Sequence, residues 1–233
     1  LVGLIVDGNV CTYGSGTPDS SLGYAIPEYD KDGSHYLWVK IYDGTQTTAD
    51  SFLVGKFGGD AYRPYASTRV GTGRTYVVVT IRHNDQNLSS SSSMKFIVKG
   101  AKFYDPLLDS TVGGSGSMSF DDSSSYEYSE KPQVFRYNIR RGIYYGRTPS
   151  SDGQWMMGIQ GMSAARLPYD NWSAAFNDCD TLVDNHSVGT EKQYRFAGEF
   201  AVNAEPATID ESLMRACNAR SIEVGGIYKT TTG

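Results

Sequence analysis

The stretch TIDESLMRACNARSIEVGGIYKT, residues 208–230, predicts a helix that is followed at once by a β-hairpin. Its first apolar residues recur at helical spacing: Ile209, Leu213, Ala216 and Cys217. The run Thr208-Ile209-Asp210-Glu211 predicts a capping box at the start of the helix. Residues 221–224 and 227–230 then flank Gly225-Gly226, a pair suited to a two-residue hairpin turn. A helix next to a hairpin, with strands predicted elsewhere, predicts an α+β protein that is mainly β rather than one with regularly alternating βα units.

Two more helices are predicted upstream. The first begins near Pro132 and stops at Gly142. The second spans residues 171–184 with Asp170 as its N-cap, because apolar residues recur there at helical spacing. From these patterns we expect five side chains to be buried: Trp172, Phe176, Leu182, Leu213 and Cys217.

Strands are predicted before and between the helices. Residues 36–42 form one strand, and residues 75–82, almost wholly β-branched or aromatic, form a second that is buried on both faces. Residues 94–100 and 192–202 alternate as half-buried strands do. The five serines at 89–93 predict a hairpin tip, with a linker as the alternative.

These elements divide the chain into three regions. Residues 1–100 are predicted to be β-rich, residues 101–131 to form an exposed Gly/Ser-rich strap, and residues 132–233 to form an α+β region. Both termini resemble strands that continue, so we expect a piece of a longer polypeptide. The strap has glycines but lacks the Gly-Lys-Ser/Thr frame of a nucleotide loop.

Composition limits the possible partners. A net charge of −5 argues against nucleic acid as a partner, and Arg63, Arg69 and Arg74 are predicted to lie in a solvated loop. No apolar run approaches the ~18–20 residues needed to cross a bilayer, and no secretory signal is visible. The odd, widely spaced cysteines Cys11, Cys179 and Cys217 indicate neither a zinc knuckle nor a disulfide framework, which fits synthesis in a reducing cytoplasm.

No set of residues indicates catalysis, a cofactor or a metal. His35, His83 and His186 lack any metal-binding frame, and a calcium loop opening at Asp30 fails because Ile41 stands where the bidentate glutamate belongs. The acidic residues Asp121, Asp122 and Glu127 could supply paired carboxylates for glycoside hydrolysis, but their serine-rich surroundings favour a solvated loop. Three tryptophans are candidates for a sugar-stacking platform: Trp38, Trp155 and Trp172.

One string of motifs resembles a known family. It runs KGAKFYDP at residues 99–106, DSTVGGSG at 109–116 and EYSEKP at 127–132, and it is preceded by IYDGTQTTAD at 41–50. Downstream, Trp172 to Cys179 and the EVGGIYK of residues 223–229 fit the same order. The combination resembles the tail tip attachment or host-specificity protein J family of lambda-like phages, and the related large tail protein of gene transfer agents. Glu130-Lys131 departs from the family pattern, which often has Asn before the proline.

The resemblance implies a structural role. It implies tube-like β domains, barrel or sandwich, with short helices packed on the sheets, and a homotrimeric ring that closes the distal end of a phage tail. Other tail proteins would be its partners, and a host receptor would be reached through further domains. The chain would be made in the bacterial cytoplasm and be located in the virion tail, without enzymatic activity, nucleic-acid binding or membrane insertion. A tail-associated carbohydrate-binding or glycan-hydrolysing module is the alternative, and receptor binding by this module itself is a third hypothesis.

Overall fold

A computed structural model describes residues 3–83, 88, 92–145, 149, 151, 153–187, 189–201 and 203–233. The chain divides into two compact units, residues 1–99 and residues 100–233. Helix accounts for about 24% and strand for about 30% of the chain, so the α+β class is confirmed as a mixed one. The described residues close no barrel.

The first unit is built mainly from short antiparallel strands. Its elements are β1 (Gly3–Val6), β2 (Asn9–Cys11), β3 (Tyr24–Ala25), β4 (Leu37–Asp43), α1 (Ser51–Phe57), β5 (Thr75–Ile81) and β6 (Met94–Ile97). The strands form two sheets with the orders β2-β1-β6 and β3-β4-β5. Buried residues of these strands, together with three residues outside them (Ile26, Tyr29 and Leu88), build one core cluster: Leu4, Val6, Cys11, Ile26, Tyr29, Leu37, Val39 and Leu88.

Two expectations for this unit need correction. Strand β5 lies where it was predicted, but most of its residues are only half-buried, because it pairs with β4 on one edge of a three-stranded sheet. Helix α1 was not predicted; it has seven residues, and none of them is buried. Of the predicted serine tip, residues 89–91 lie outside the described residues.

The second unit combines three helices with two-stranded ribbons. Its elements are β7 (Lys102–Phe103), β8 (Glu127–Tyr128), α2 (Pro132–Arg141), β9 (Ile143–Tyr145), β10 (Gln154–Met157), α3 (Tyr169–Asp180), β11 (Leu182–Asn185), β12 (Gly189–Lys192), α4 (Pro206–Ala216), β13 (Arg220–Val224) and β14 (Ile227–Thr231). The strands pair antiparallel as β7-β8, β9-β10, β11-β12 and β13-β14.

Helix α2 is the centre of this unit. Its residues Val134 and Tyr137 join an aromatic cluster that includes Trp172 and Phe176 of α3. On another side, Ile139 of α2 packs with residues of α4 and β10 in a second cluster. The helix begins at Pro132 and ends before Gly142, as predicted, because proline suits a first turn and Gly142 has a φ of 88°.

The helix boundaries elsewhere differ from the prediction. Trp172, Phe176, Leu213 and Cys217 are buried as expected, but Leu182 is 63% exposed because α3 ends at Asp180 and the chain continues as β11. Neither Asp170 nor a Thr208 capping box starts a helix: α3 follows Pro168, and α4 begins at Pro206. The predicted strand at 192–202 is also wrong, since β12 ends at Lys192 and the described residues 193–201 form no strand.

Candidate functional site

The strongest candidate site is the hairpin β13–β14, called here the terminal hairpin. Gly225 and Gly226 have φ values of 59° and 79°, and Val224 pairs directly with Ile227 across them. Two consecutive residues at positive φ match the strand twist in a two-residue turn, so glycine at both positions has a clear physical reason. The turn fixes the register, which continues to Arg220 opposite Thr231.

One strand of the terminal hairpin is fastened to α3. Asn171 donates from Nδ2 to the Thr230 carbonyl at 2.9 Å and accepts the Thr230 amide at 2.8 Å, as a neighbouring strand would. The Trp172 indole donates to the Tyr228 carbonyl at 3.0 Å. These side chains satisfy backbone groups of the outer edge of β14, which leaves that edge unavailable to another strand.

A fully buried arginine fixes the inward face of the same hairpin. Arg136 of α2 donates to Asp210 at 2.8 Å, to Gln133 at 2.9 Å and to the Thr230 hydroxyl at 2.7 Å, and also to Ser221. Asp210 accepts a second bond at 2.7 Å from Arg140. A buried guanidinium is tolerated only when its donors are satisfied and its charge is paired. This network therefore joins α2, α4 and both strands of the hairpin.

The outward face of the terminal hairpin is exposed and partly apolar. Since side chains alternate along a strand, Ser221 and Thr230 point inward to Arg136 while Ile222 and Val224 point outward. Ile222 is 59% exposed and Val224 is 67% exposed. Lys229 lies opposite Ile222 on this outward face. The hairpin thus presents aliphatic side chains on a rigidly held support.

Residues 101–131 were predicted to form an exposed strap, and this prediction needs correction because several of their side chains are buried in the core. Phe103, Tyr104 and Met118 are buried in the aromatic cluster, and residues 109–118 fold back over a short 3₁₀ turn at Pro106–Leu108. A Cβ on Gly114 would lie 2.2 Å from the Pro106 carbonyl oxygen, so this close approach requires glycine. Within the segment, residues 110–113 and 115–117 are exposed.

The carboxylates of the motif segment have structural partners. Asp109 accepts from the Tyr104 hydroxyl at 2.7 Å and from the Thr111 amide and hydroxyl; burial opposes its ionisation, but these bonds hold its pKa below the usual value. Asp105 caps the 3₁₀ turn and lies 3.1 Å from Lys131, which also contacts Asp180 at 2.8 Å. The motif therefore fastens the segment to α2 and α3.

The carboxylates and tryptophans named for glycan chemistry differ in exposure and in their partners. Asp122 caps the 3₁₀ turn at Ser123–Ser125, while Asp121 and Glu127 are exposed. Trp38 and Trp172 are buried, so only Trp155, 46% exposed, presents a ring surface. A pocket of about 330 Å³ lies between α2 and α4, but Arg140 and Asp210 in its wall are already paired with each other.

Two of the histidines lie beside carboxylates, and the three cysteines are buried. His35 bonds Asp30 at 2.7 Å, and His186 lies 3.5 Å from Asp184 on the surface. Cys11, Cys179 and Cys217 are free and buried; burial raises the pKa of Cys179 to about 12 and of Cys217 to about 11, so both act as small apolar side chains. Among the residues described, no group of three or more His, Cys, Asp or Glu could hold a metal ion.

No helix in the described part of the chain has the length and apolar character needed to span a bilayer. Arg63, Arg69 and Arg74 are exposed in the loop region after α1, as expected. Comparisons with protein-family models, curated proteins and solved structures found no match.

Sequence reasoning missed the residues that hold the terminal hairpin. Asp210 was assigned to a capping box, and Arg136 was not singled out. The sequence contains one signal for a buried ion pair. Gln133 and Arg136 lie three residues apart among the apolar residues of α2, where a polar side chain needs a buried partner. The sequence alone does not say which of its carboxylates supplies that partner.

Proposed function

We propose that this chain is a structural component of the tail tip or baseplate hub of a phage-type particle. It would assemble as a trimeric ring at the distal tail end and link the tail tube to host-recognition parts. It would be made in the bacterial cytoplasm, be located in the virion tail and have no enzymatic activity. Its partners would be copies of itself and other tail proteins.

The observation that carries the proposal is the terminal hairpin. One face is held by Arg136, Asn171 and Trp172, whereas the other exposes Ile222 and Val224. A surface that is already ordered loses little conformational entropy on binding, and exposed aliphatic side chains on a strand favour protein contacts. This combination suits assembly better than catalysis.

The motif residues support the same proposal. Asp105, Asp109 and Gly114 serve the fold of their segment through an ion pair, hydrogen bonds and a close backbone approach. Residues with such roles maintain the shape of the segment, as expected in a structural protein. The tail-hub β domains implied by the resemblance, and the trimer, are part of this proposal.

Electron microscopy of particles provides the test. Antibodies raised against the purified chain should label one end of the tails in particles released by the bacterium that encodes it. Antibody adsorbed with the chain beforehand is the control. Absence of label from the tails, with the chain recovered only from cell lysate, would contradict the proposal.

Enzyme assays test the glycan-active alternative. The purified chain should release no products from peptidoglycan or oligosaccharides. Turnover that disappears in Asp121→Asn, Asp122→Asn or Glu127→Gln, and persists in the exposed control Glu205→Gln, would replace the structural proposal with a hydrolase.

A further inference from the structure

The pocket between α2 and α4 lies within the second unit and has a volume of about 330 Å³. One face of α4 forms one wall, because Ala207, Glu211 and Met214 recur there at intervals of three or four residues. Ile139 and Arg140, near the end of α2, form the facing wall. Two helices therefore provide a well-ordered frame for the pocket.

Most side chains of the pocket wall are apolar. Ile159 follows β10 and is fixed beside α2 by a hydrogen bond of 2.8 Å from its amide to the Ile139 carbonyl. Its side chain is 37% exposed, so apolar surface of the wall is open to solvent. Small-molecule sites are concave, mostly apolar and roughly 300–1,000 Å³ in volume. The pocket is therefore large enough for a small ligand with an apolar body.

Arg140 is the cation of the wall. Its guanidinium donates to Asp210 at 2.7 Å and lies 4.9 Å from the centre of the Tyr228 ring, and its side chain is 16% exposed. A guanidinium has five N–H donors. Among the residues that the structure describes, only Asp210 accepts a hydrogen bond from this side chain. Arg140 therefore has donors left for a ligand in the pocket.

The charge behind the wall is positive. Both oxygens of Asp210 accept from guanidiniums, from Arg136 at 2.8 Å and from Arg140 at 2.7 Å, so two cations share one carboxylate. Arg136 is fully buried, and its other hydrogen bonds go to uncharged groups. Glu211, the second carboxylate of the wall, is exposed and lies 3.7 Å from Arg215. The unshared positive charge is thus available to the pocket at Arg140.

We propose that this pocket binds a small apolar monocarboxylate, with the acid group on Arg140 and the apolar body against the isoleucines and Met214. The proposal goes beyond the structural role proposed above and does not depend on it. Guanidinium and carboxylate form charge-assisted hydrogen bonds, which are stronger than neutral ones. A dianion such as a phosphate ester fits less well, because two carboxylates lie in the same wall and repel a second negative charge.

Fluorine NMR titration of the purified chain with 4-fluorophenylacetate tests the pocket. The uncharged amide, 4-fluorophenylacetamide, is the matched probe, because the two compounds differ only in the acid group. A ligand of this size binds weakly, so the Kd of the acid should be about 0.1–1 mM. The amide should bind about tenfold more weakly, because it makes no ion pair with Arg140.

Two substitutions on α4 locate the binding. Ala207→Phe places a ring in the pocket wall and should abolish binding of the acid. Thr208→Phe places the same ring on the next residue, which is also exposed but is not part of the wall, and should leave the Kd unchanged. Circular dichroism should show the wild-type fold in both variants.

Substitutions of Arg140 test the acid group. Arg140→Gln should raise the Kd of the acid about tenfold and change that of the amide little. Arg140→Lys keeps a cation beside Asp210 and should bind the acid within about threefold of the wild type. Because the comparison of acid with amide uses the wild-type chain, it remains informative if an Arg140 variant is unstable.

Four results would overturn the assignment. They are no binding of the acid by the wild-type chain up to about 10 mM, equal affinity for acid and amide, unchanged binding of the acid in Ala207→Phe, and unchanged binding in a folded Arg140→Gln variant. Selective binding of the acid that is lost in Ala207→Phe and kept in Thr208→Phe would support it.

Discussion

Each unit of this protein contains a buried ion pair, and the two pairs differ in reach. In the first unit, Asp50 accepts from Tyr42 at 2.5 Å, from Lys40 at 3.0 Å and from the Leu53 amide at 2.7 Å. All of these partners lie within about ten residues of Asp50 in the chain. In the second unit, Arg136 reaches Asp210 and Thr230, which are 74 and 94 residues away.

The two ion pairs stabilise regions of different size. Asp50 joins β4 to the start of α1, so it organises one local turn of the chain. Arg136 joins elements that meet only in the completed unit, because a planar guanidinium has enough donors to bind several groups at once. Loss of the Asp50 contacts should destabilise the connection between β4 and α1. Loss of the Arg136 contacts should destabilise the whole second unit, including the terminal hairpin.

The largest effect is expected for Arg136→Met. The change leaves Asp210 buried with only Arg140 as a partner and removes the bonds to Thr230 and Ser221. Removing one member of a buried pair costs about 3–5 kcal/mol. Urea unfolding of the chain should show this loss, and Arg215→Met, which removes an exposed contact to Glu211, is the control that should change stability little.

A smaller effect is expected for Asp50→Asn. This change keeps the side-chain size but weakens the hydrogen bonds from Tyr42 and Lys40 and the cap on Leu53. Charged hydrogen bonds and an N-cap together predict a loss of about 1–3 kcal/mol. Asp43→Asn, at an exposed residue of the same strand, is the control; equal losses for both would show that the burial of Asp50 contributes nothing.

A still smaller loss is expected at the turn of the terminal hairpin. Gly225 has open space around its Cα but a φ of 59°, so Gly225→Val should cost about 1–2 kcal/mol through backbone strain alone. Asn tolerates this conformation, and Gly225→Asn should be nearly neutral. Thermal unfolding of both variants checks the comparison, and a destabilised Asn variant would argue against a strain effect.

The smallest effect is expected for a change of pH from 7 to about 5. Burial opposes ionisation of Asp50, but bonds from Tyr42, Leu53 and Lys40 hold its pKa below the usual value. A carboxyl with a lowered folded pKa contributes stability above its unfolded pKa of about 4, and this is lost as pH falls through the folded pKa. Urea unfolding should therefore change little down to pH 5 and weaken below about 4, less so in Asp50→Asn.

Local structure was predictable where a short pattern decides it. The turn at Gly225-Gly226, the helix from Pro132 and the strand at Leu37–Asp43 all follow from residues within one turn or one strand. The end of α3 at Asp180 was not predictable from the sequence. Leu182 continues the apolar spacing of the helix but lies in β11, where it pairs with Lys192. An apolar period does not reveal whether a neighbouring strand will pair with the chain.

Sequence patterns alone predicted the α+β class, the terminal hairpin and the burial of Trp172, Phe176, Leu213 and Cys217. The burial of Phe103, Tyr104 and Met118 in a core, and the pairing of Arg136 with Asp210, could be found only in the folded unit. These features differ in the sequence distance over which their interactions act. Turn chemistry and side-chain periodicity act over a few residues, whereas the partner of a buried charge is chosen by the packing of distant elements, and that packing exists only in the folded unit.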